Sequence, residues 1–382
     1  MARHPLNHST LRLGEKLAGI RWLLVLAICL VAGTGIGMLY SAAGGNMEPW
    51  AIRQLARFVA ALGILLLVAI SDIRVWLRWA YVIYAMALVL LVIVDFAGAI
   101  GMGAQRWIDL GVINLQPSEV MKIALVLALA RYFHGMASED VGRPWRLIVP
   151  LMMVVVPVAL VLKQPDLGTA VMLLLGGGAL FFAAGVRLWM FAVVLVAGVG
   201  AMPVAWEFLH DYQRRRVLTF LDPETDPLGS GYHILQSKIA LGSGGLFGKG
   251  YMQGTQSGLN FLPEKQTDFI FTMLAEEFGL VGSLGILGLY VVILGYCFAI
   301  ALSAKSQFGR LLAIGITTTF FLYVFINMAM VMGLIPVVGV PLPLVSYGGT
   351  ATVSLMLGFG LVMCVYVHRD VMISRHATGE ER

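Results

Sequence analysis

Charge is scarce in this chain. Lys, Arg, Asp and Glu make up 12% of its 382 residues, against 59% hydrophobic residues and a mean hydropathy of +0.87. A soluble domain carries about a quarter of its residues charged, so a soluble globule is excluded and the chain reads as an integral membrane protein. Cysteine is scarcer still. Cys29, Cys297 and Cys364 lie in separate apolar runs with no CxxC spacing and no neighbouring histidine, which excludes a disulfide framework or a zinc site. The net charge of +5 comes without a basic stripe interleaved with aromatic platforms, so no nucleic-acid partner is expected. No convincing small-residue cleavage site follows the first apolar run, which is therefore read as a retained anchor. No strand precedes the run GSGGLFGKG (Gly242 to Gly250), which excludes a nucleotide P-loop.

What is abundant is apolar sequence. Ten windows approach the roughly 20 residues that a helix needs to cross a bilayer: 19–41, 52–70, 77–97, 117–134, 147–162, 168–186, 188–208, 269–302, 311–333 and 350–368. The expected fold is thus an all-α membrane protein of about ten spans, a single polytopic domain over 1–382. One long polar interval, 206–271, separates the seventh span from the eighth. Polar loops of that length usually carry function. Short-loop Lys and Arg residues favour the cytoplasm, and most gather on one side: Arg3, Arg12, Lys16 and Arg21, then Arg74, Arg78, Arg131, Arg143, Arg146, Arg187, Lys305, Arg310, Arg369, Arg375 and Arg382, against only Arg53, Arg57, Arg106 and Lys163 in the short loops of the other. Both termini are therefore expected in the cytoplasm and the 206–271 loop outside.

This orientation puts every specific-looking polar motif on the outer face. Glu119 and Lys122, at i and i+3 behind Pro117, can pair on one helix face and lie inside a span, where ionisable groups mark either function or a structural ion pair. Glu276 and Glu277 fall near mid-membrane in the eighth span, and at least one is expected to cap or pair within the bundle. Tyr232, Leu235 and Ile239 recur at helical spacing, which predicts a short amphipathic helix on the membrane surface or against the bundle. The glycine run offers backbone N–H groups to a phosphate, although such runs are more often simple turns. Arg214, Arg215, Arg216, Lys238, Lys249 and Lys265 make the long loop locally basic, suited to lipid headgroups or a pyrophosphate.

The strings GAQRWIDLG, QPSEVMKIA, QPDLGT, DYQRRRVLTFLDPETDPLGSGYH, QSKIALGSGGLFGKG, LPEKQTDFIF and GLIPVVGVPLPLVSYGG closely resemble the SEDS family of bacterial cell-wall proteins, in order and over nearly the whole chain. The short N-terminal tail and LDPETDPLGSGYH are similar to its elongation branch, which maintains rod shape, rather than its division branch. The resemblance implies a ten-helix peptidoglycan glycosyltransferase of the bacterial inner membrane that polymerises lipid II, beside a class B penicillin-binding protein that crosslinks the strands. It carries the family's essential acid over to Asp268 and its intramembrane pair to Glu119 and Lys122.

The residues are compatible with that chemistry. No nucleotide triphosphate is available outside the membrane, so an energised donor must arrive on a lipid, as a polyprenyl pyrophosphate sugar does. Inverting glycosyl transfer needs a base for the acceptor hydroxyl and positive charge or a metal at the leaving pyrophosphate. Asp268 is the candidate base. Substrate-binding candidates are Arg106, Glu119, Lys122, Lys163, Arg214, Lys238, Lys249 and Lys265. A divalent cation, Mg or Mn, shared between a carboxylate and the pyrophosphate is the one cofactor expected, with no nucleotide or organic group and with no ligand cluster to mark the site. Two rival readings stand: a lipid II flippase, favoured by glycines and in-span prolines such as Pro157 and Pro203, and a non-catalytic scaffold for the penicillin-binding protein.

Overall fold

Backbone polar groups inside lipid must be satisfied within the chain, so apolar runs of this length close into helices. The computed structural model describes residues 13–373 except 102–103, 110, 112–113, 138, 209–213, 215–217, 223–229 and 256–263. A short α1 (Leu13–Ala18) leads into α2 (Trp22–Ala42), α3 (Ala51–Ile70) and α4 (Ile73–Ala97). Then come α5 (Pro117–Gly135), α6 (Pro144–Lys163), α7 (Leu167–Ala184), α8 (Leu188–Phe208) and α9 (Ser230–Ser243). The chain closes with α10 (Ile270–Ser303), α11 (Gln307–Val331) and α12 (Gly349–Val367). Eight of these are long and apolar enough to cross a membrane. With α5, which is more charged, and α8, which is apolar from Leu188 to Pro203, they coincide with the ten expected windows.

The bundle core is formed by α5, α11 and α12, whose side chains are mostly buried. Close helix contact in lipid is made by small residues. Gly360 on α12 is an instance, since a Cβ there would stand 2.8 Å from the Val68 side chain and 2.9 Å from the Leu65 carbonyl of α3. In contrast, every residue of α8 from Ala192 to Pro203 is exposed, as suits a helix that is apolar all round.

Hydrogen bonds between loops separate the two ends of the bundle. At one end Arg106 reaches Gln164, Thr350 reaches Asn114, Tyr347 reaches Gln266 and Tyr251 reaches Gly37. At the other, Lys16 reaches Ile70, Arg131 reaches Arg78, Tyr132 reaches Arg146 and Lys305 reaches Arg369. The described parts of the polar motifs lie at the first end, together with Arg57, Arg106 and Lys163, and the described basic residues expected in the cytoplasm, from Lys16 to Arg369, lie at the second. Arg3, Arg12, Arg375 and Arg382 lie outside the described residues.

One feature departs from an all-helical chain. Between α4 and α5, β1 (Ala99–Gly101), β2 (Ala104–Asp109) and β3 (Asn114–Leu115) form a small antiparallel sheet in the order β1-β2-β3, with Ile108 opposite Leu115. Such short strands carry no usable period in sequence. Asp109 stabilises the turn after β2 by accepting from the Gly111 amide at 2.7 Å.

Candidate active site

Asp268 stands half-buried in the turn Glu264–Phe269 that leads into α10. Three contacts from other elements fix that turn. Asn327 of α11, fully buried, donates through Nδ2 to the Asp268 main-chain oxygen at 3.0 Å and to the Val340 oxygen at 2.7 Å. Ser346 donates to the Thr267 oxygen at 2.5 Å, and the Tyr347 amide donates to the Gln266 oxygen at 2.8 Å. The segment 338–347 is thereby joined to the 264–269 turn. Gly339, at φ +71°, adopts the left-handed backbone without strain, and a Cβ there would make ordinary contact with Asp268 Oδ2 at 3.4 Å.

The nearest other acid in the sequence is otherwise engaged. Glu264 sits at φ +53° and its Oε2 accepts from Thr267 Oγ1 at 3.0 Å and from Gln266 Nε2 at 3.2 Å. The capping position of α10 falls on Phe269, whose side chain makes no cap hydrogen bond.

Glu119 and Lys122 form a closed buried network. Lys122 Nζ lies 2.7 Å from Glu119 Oε1, and both side chains are 4% exposed. Tyr323 of α11 accepts from Lys122 and donates to Glu119 Oε2, which also accepts from Ser354 of α12 at 3.2 Å. A buried pair is tolerable when its remaining hydrogen-bond capacity is met in this way. Tyr323 also borders a small cavity shared with Leu342, Ser346 and Thr352, directly under the segment that holds the Asp268 turn.

The remaining candidates do not converge on one point. Arg106 of β2 donates through Nε to the Gln164 oxygen at 3.0 Å and through Nη2 to Pro165, pinning the turn between α6 and α7. Lys163 lies 3.3 Å from Asp95. Arg214 donates to the Trp206 and Glu207 oxygens at the end of α8, while Arg215 and Arg216 lie outside the described residues. Lys249 is bound to Glu276 at 2.9 Å. Lys238 is exposed on α9 beside Gly333. Lys265 lies in the Asp268 turn itself, and burial lowers its ammonium below the ordinary lysine value.

The glycine run has a different role from an anion cradle. Helix α10 breaks at Gly279 (φ 64°, ψ −158°), which leaves orphan carbonyls above the break and orphan amides below it. The amides of Lys249 and Gly250 donate to the Glu276 and Glu277 oxygens, each at 3.0 Å, and the Gly245 and Leu246 oxygens accept from the Leu280 and Val281 amides at 3.0 and 3.1 Å. Glu277 accepts from Ser41 of α2 at 2.5 Å. Both acids are thus held within the bundle. On α9 the face turned to the bundle is Ile234, Ser237 and Ala240, and the expected stripe of Leu235 and Ile239 is the exposed one.

Sequence reasoning passed over Asn327, Tyr323 and Ser354. Asn327 carried a usable signal, an amide in the apolar run FINMAM. Among the described residues no group of three or more His, Cys, Asp or Glu side chains could hold a metal ion.

Residues 16–371 match the FtsW/RodA/SpoVE family model, described as a cell cycle protein. The chain is 48% identical over 358 residues to the peptidoglycan glycosyltransferase MrdB of Escherichia coli K12, covering 92% of this chain and 94% of that one. It is 39% identical over 289 residues to MrdB of Helicobacter pylori J99, covering 75% and 74%. Among solved structures it is similar to a chain of a peptidoglycan synthase complex described as coordinating polymerization and crosslinking, with TM-score 0.79, 34% identity and coverage of 92% and 98%. It is also similar to the rod shape determining protein RodA of Thermus thermophilus, with TM-score 0.66, 31% identity and coverage of 92% and 97%.

Proposed function

This membrane-embedded chain belongs to the FtsW/RodA/SpoVE family, the SEDS proteins, and from that membership we propose that it polymerises lipid II into glycan strands during cell elongation, with Asp268 as general base. It is a peptidoglycan glycosyltransferase of the MrdB type. The observation that carries the assignment of Asp268 is its setting: a half-buried carboxylate held by its backbone at the start of α10, with Gly339 beside it.

In this reading the end of the bundle that bears the polar motifs faces outside the cytoplasmic membrane, and both termini are cytoplasmic. The lipid tail of the substrate stays in the bilayer and its pyrophosphate lies at the level of the 264–269 turn. Asp268 takes the proton of the acceptor hydroxyl as that oxygen attacks the anomeric carbon, and the bond to the pyrophosphate breaks with inversion. Lys265, in the same turn, is the cation placed to stabilise the departing charge. A divalent cation would be held by the pyrophosphate oxygens and by a carboxylate other than the base, since Mg²⁺ commonly takes one or two carboxylates and substrate phosphates. It would neutralise the leaving group. The partner is a class B penicillin-binding protein, by analogy with the complex that coordinates polymerization and crosslinking.

The test is purified protein given lipid II alone in vesicles, wild type beside Asp268→Asn, with glycan polymer and lipid translocation both measured. Polymer from the wild type and a loss of at least about 100-fold in the variant support the reading. Translocation without polymer makes the chain a flippase, and neither makes it a scaffold. A variant that still polymerises at a near-normal rate returns Asp268 to a structural role.

A further inference from the structure

The break at Gly279 has a mechanical consequence. It separates a nine-residue half-helix, Ile270–Phe278, from the rest of α10, so helical continuity does not fix that half-helix in the membrane. Its upper end carries Asp268. Its lower end is set by the strap 244–250, through the four backbone hydrogen bonds that cross the break.

The side chains add a lock. Glu276, with no exposed surface, accepts at one oxygen from Lys249 Nζ at 2.9 Å, from the Thr255 amide at 2.8 Å and from Thr255 Oγ1 at 3.1 Å. Lys249 also donates to Thr255 Oγ1 at 2.7 Å. The strap cannot shift away from the half-helix without breaking the Lys249 and Thr255 contacts of a fully buried carboxylate, which is costly for an ion. It cannot move closer either, because Gly244 and Gly248 already lie where a Cβ would be 2.0 Å from the Ala275 oxygen and 2.1 Å from the Glu277 oxygen. Eight residues separate Glu276 from Asp268, about 12 Å along a helix axis.

We propose that Lys249 and Glu276 are positioning residues for the glycosyl transfer, which set the height of Asp268 through the half-helix Ile270–Phe278 and do not bind substrate. This rests on the assignment of Asp268 as base. A small displacement of a reacting group is enough to slow the chemical step without weakening substrate binding.

The experiment compares lipid II polymerisation by wild type, Lys249→Met, Lys249→Arg, Thr255→Val and Asp268→Asn, each purified as the full chain. Lys249→Met is expected to lower kcat at least about tenfold with the KM for lipid II within about twofold. Lys249→Arg, which keeps the charge, restores most of the rate. Thr255→Val, which removes only the bridging hydroxyl, gives a smaller fall of about threefold, again in kcat, and carries the test if Lys249→Met does not fold. A rise in KM at unchanged kcat makes Lys249 a substrate ligand and overturns the proposal, as do unchanged kinetics in folded Thr255→Val and Lys249→Met. An inactive Asp268→Asn beside such unaffected variants overturns this proposal alone. A fully active Asp268→Asn overturns the assignment of the base as well.

Discussion

The buried amide of Asn327 donates to the main-chain oxygen of Asp268 at 3.0 Å. It ties the turn that bears the candidate base to α11 and, through the Val340 oxygen, to the loop in front of the carboxylate. Asn327→Leu leaves both carbonyls without this donor. The expected cost is about 1–3 kcal/mol for each group that no water reaches. A thermal unfolding scan in detergent should show the lower stability, and the polymerisation assay should show a kcat reduced more than KM is changed.

The intramembrane pair predicts a non-additive pattern. Glu119→Ala or Lys122→Ala alone leaves a buried charge uncompensated, at a cost on the order of 3–5 kcal/mol. The double substitution should recover part of the yield of folded protein. Because the Tyr323 hydroxyl bridges both partners, Tyr323→Phe should destabilise as well. Single variants that fold normally but lose polymerisation would instead make the pair a substrate contact.

Lys265 supplies a pH dependence. Burial lowers its folded value below the 10.5 of an ordinary lysine. Between the lowered value and 10.5 the unfolded chain holds a proton that the folded chain has released, so stability rises with pH through that window. Activity runs the other way. If the ammonium stabilises the leaving pyrophosphate, kcat/KM falls as pH rises through the lowered value, earlier than an ordinary lysine would allow. Lys265→Arg, which stays charged throughout, should remove that alkaline limb from the pH profile.

Two neighbouring glycines should respond differently to alanine. Gly245, at φ +54°, has nothing within 4 Å of its virtual Cβ, whereas Gly248, at φ +80°, would collide with the Glu277 carbonyl at 2.1 Å. Gly245→Ala then costs only left-handed strain, about 1 kcal/mol. Gly248→Ala must open the strap across the broken helix and should lower the unfolding temperature much further. Equal effects would show that the strap does not depend on that close approach.

A metal requirement can be read without activity. If a divalent cation is held jointly by a carboxylate and the pyrophosphate, Mn²⁺ binding followed by paramagnetic resonance should be weak in the protein alone. It should strengthen when a pyrophosphate lipid is added, and equally so in Asp268→Asn, whose lost carboxylate serves the acceptor side. Tight binding to the substrate-free wild type would mean that the chain carries a complete site of its own.

The sequence by itself determined the class, the long apolar helices and the motifs, because hydropathy over about 20 residues is a local property that lipid enforces segment by segment. The same is true of the i, i+3 spacing of Glu119 and Lys122, which one helix turn brings together. Only the tertiary structure decided what those residues touch. Asn327 meets Asp268 across 59 positions and Ser346 meets Thr267 across 79, and no local pattern encodes such pairings. The glycine run looked like a flexible turn or an anion cradle until its amides were seen to close the break in α10. A backbone amide shows no preference in sequence between a phosphate and a stranded carbonyl. The packing of the two segments chooses, because an orphan carbonyl in an apolar interior must be paired.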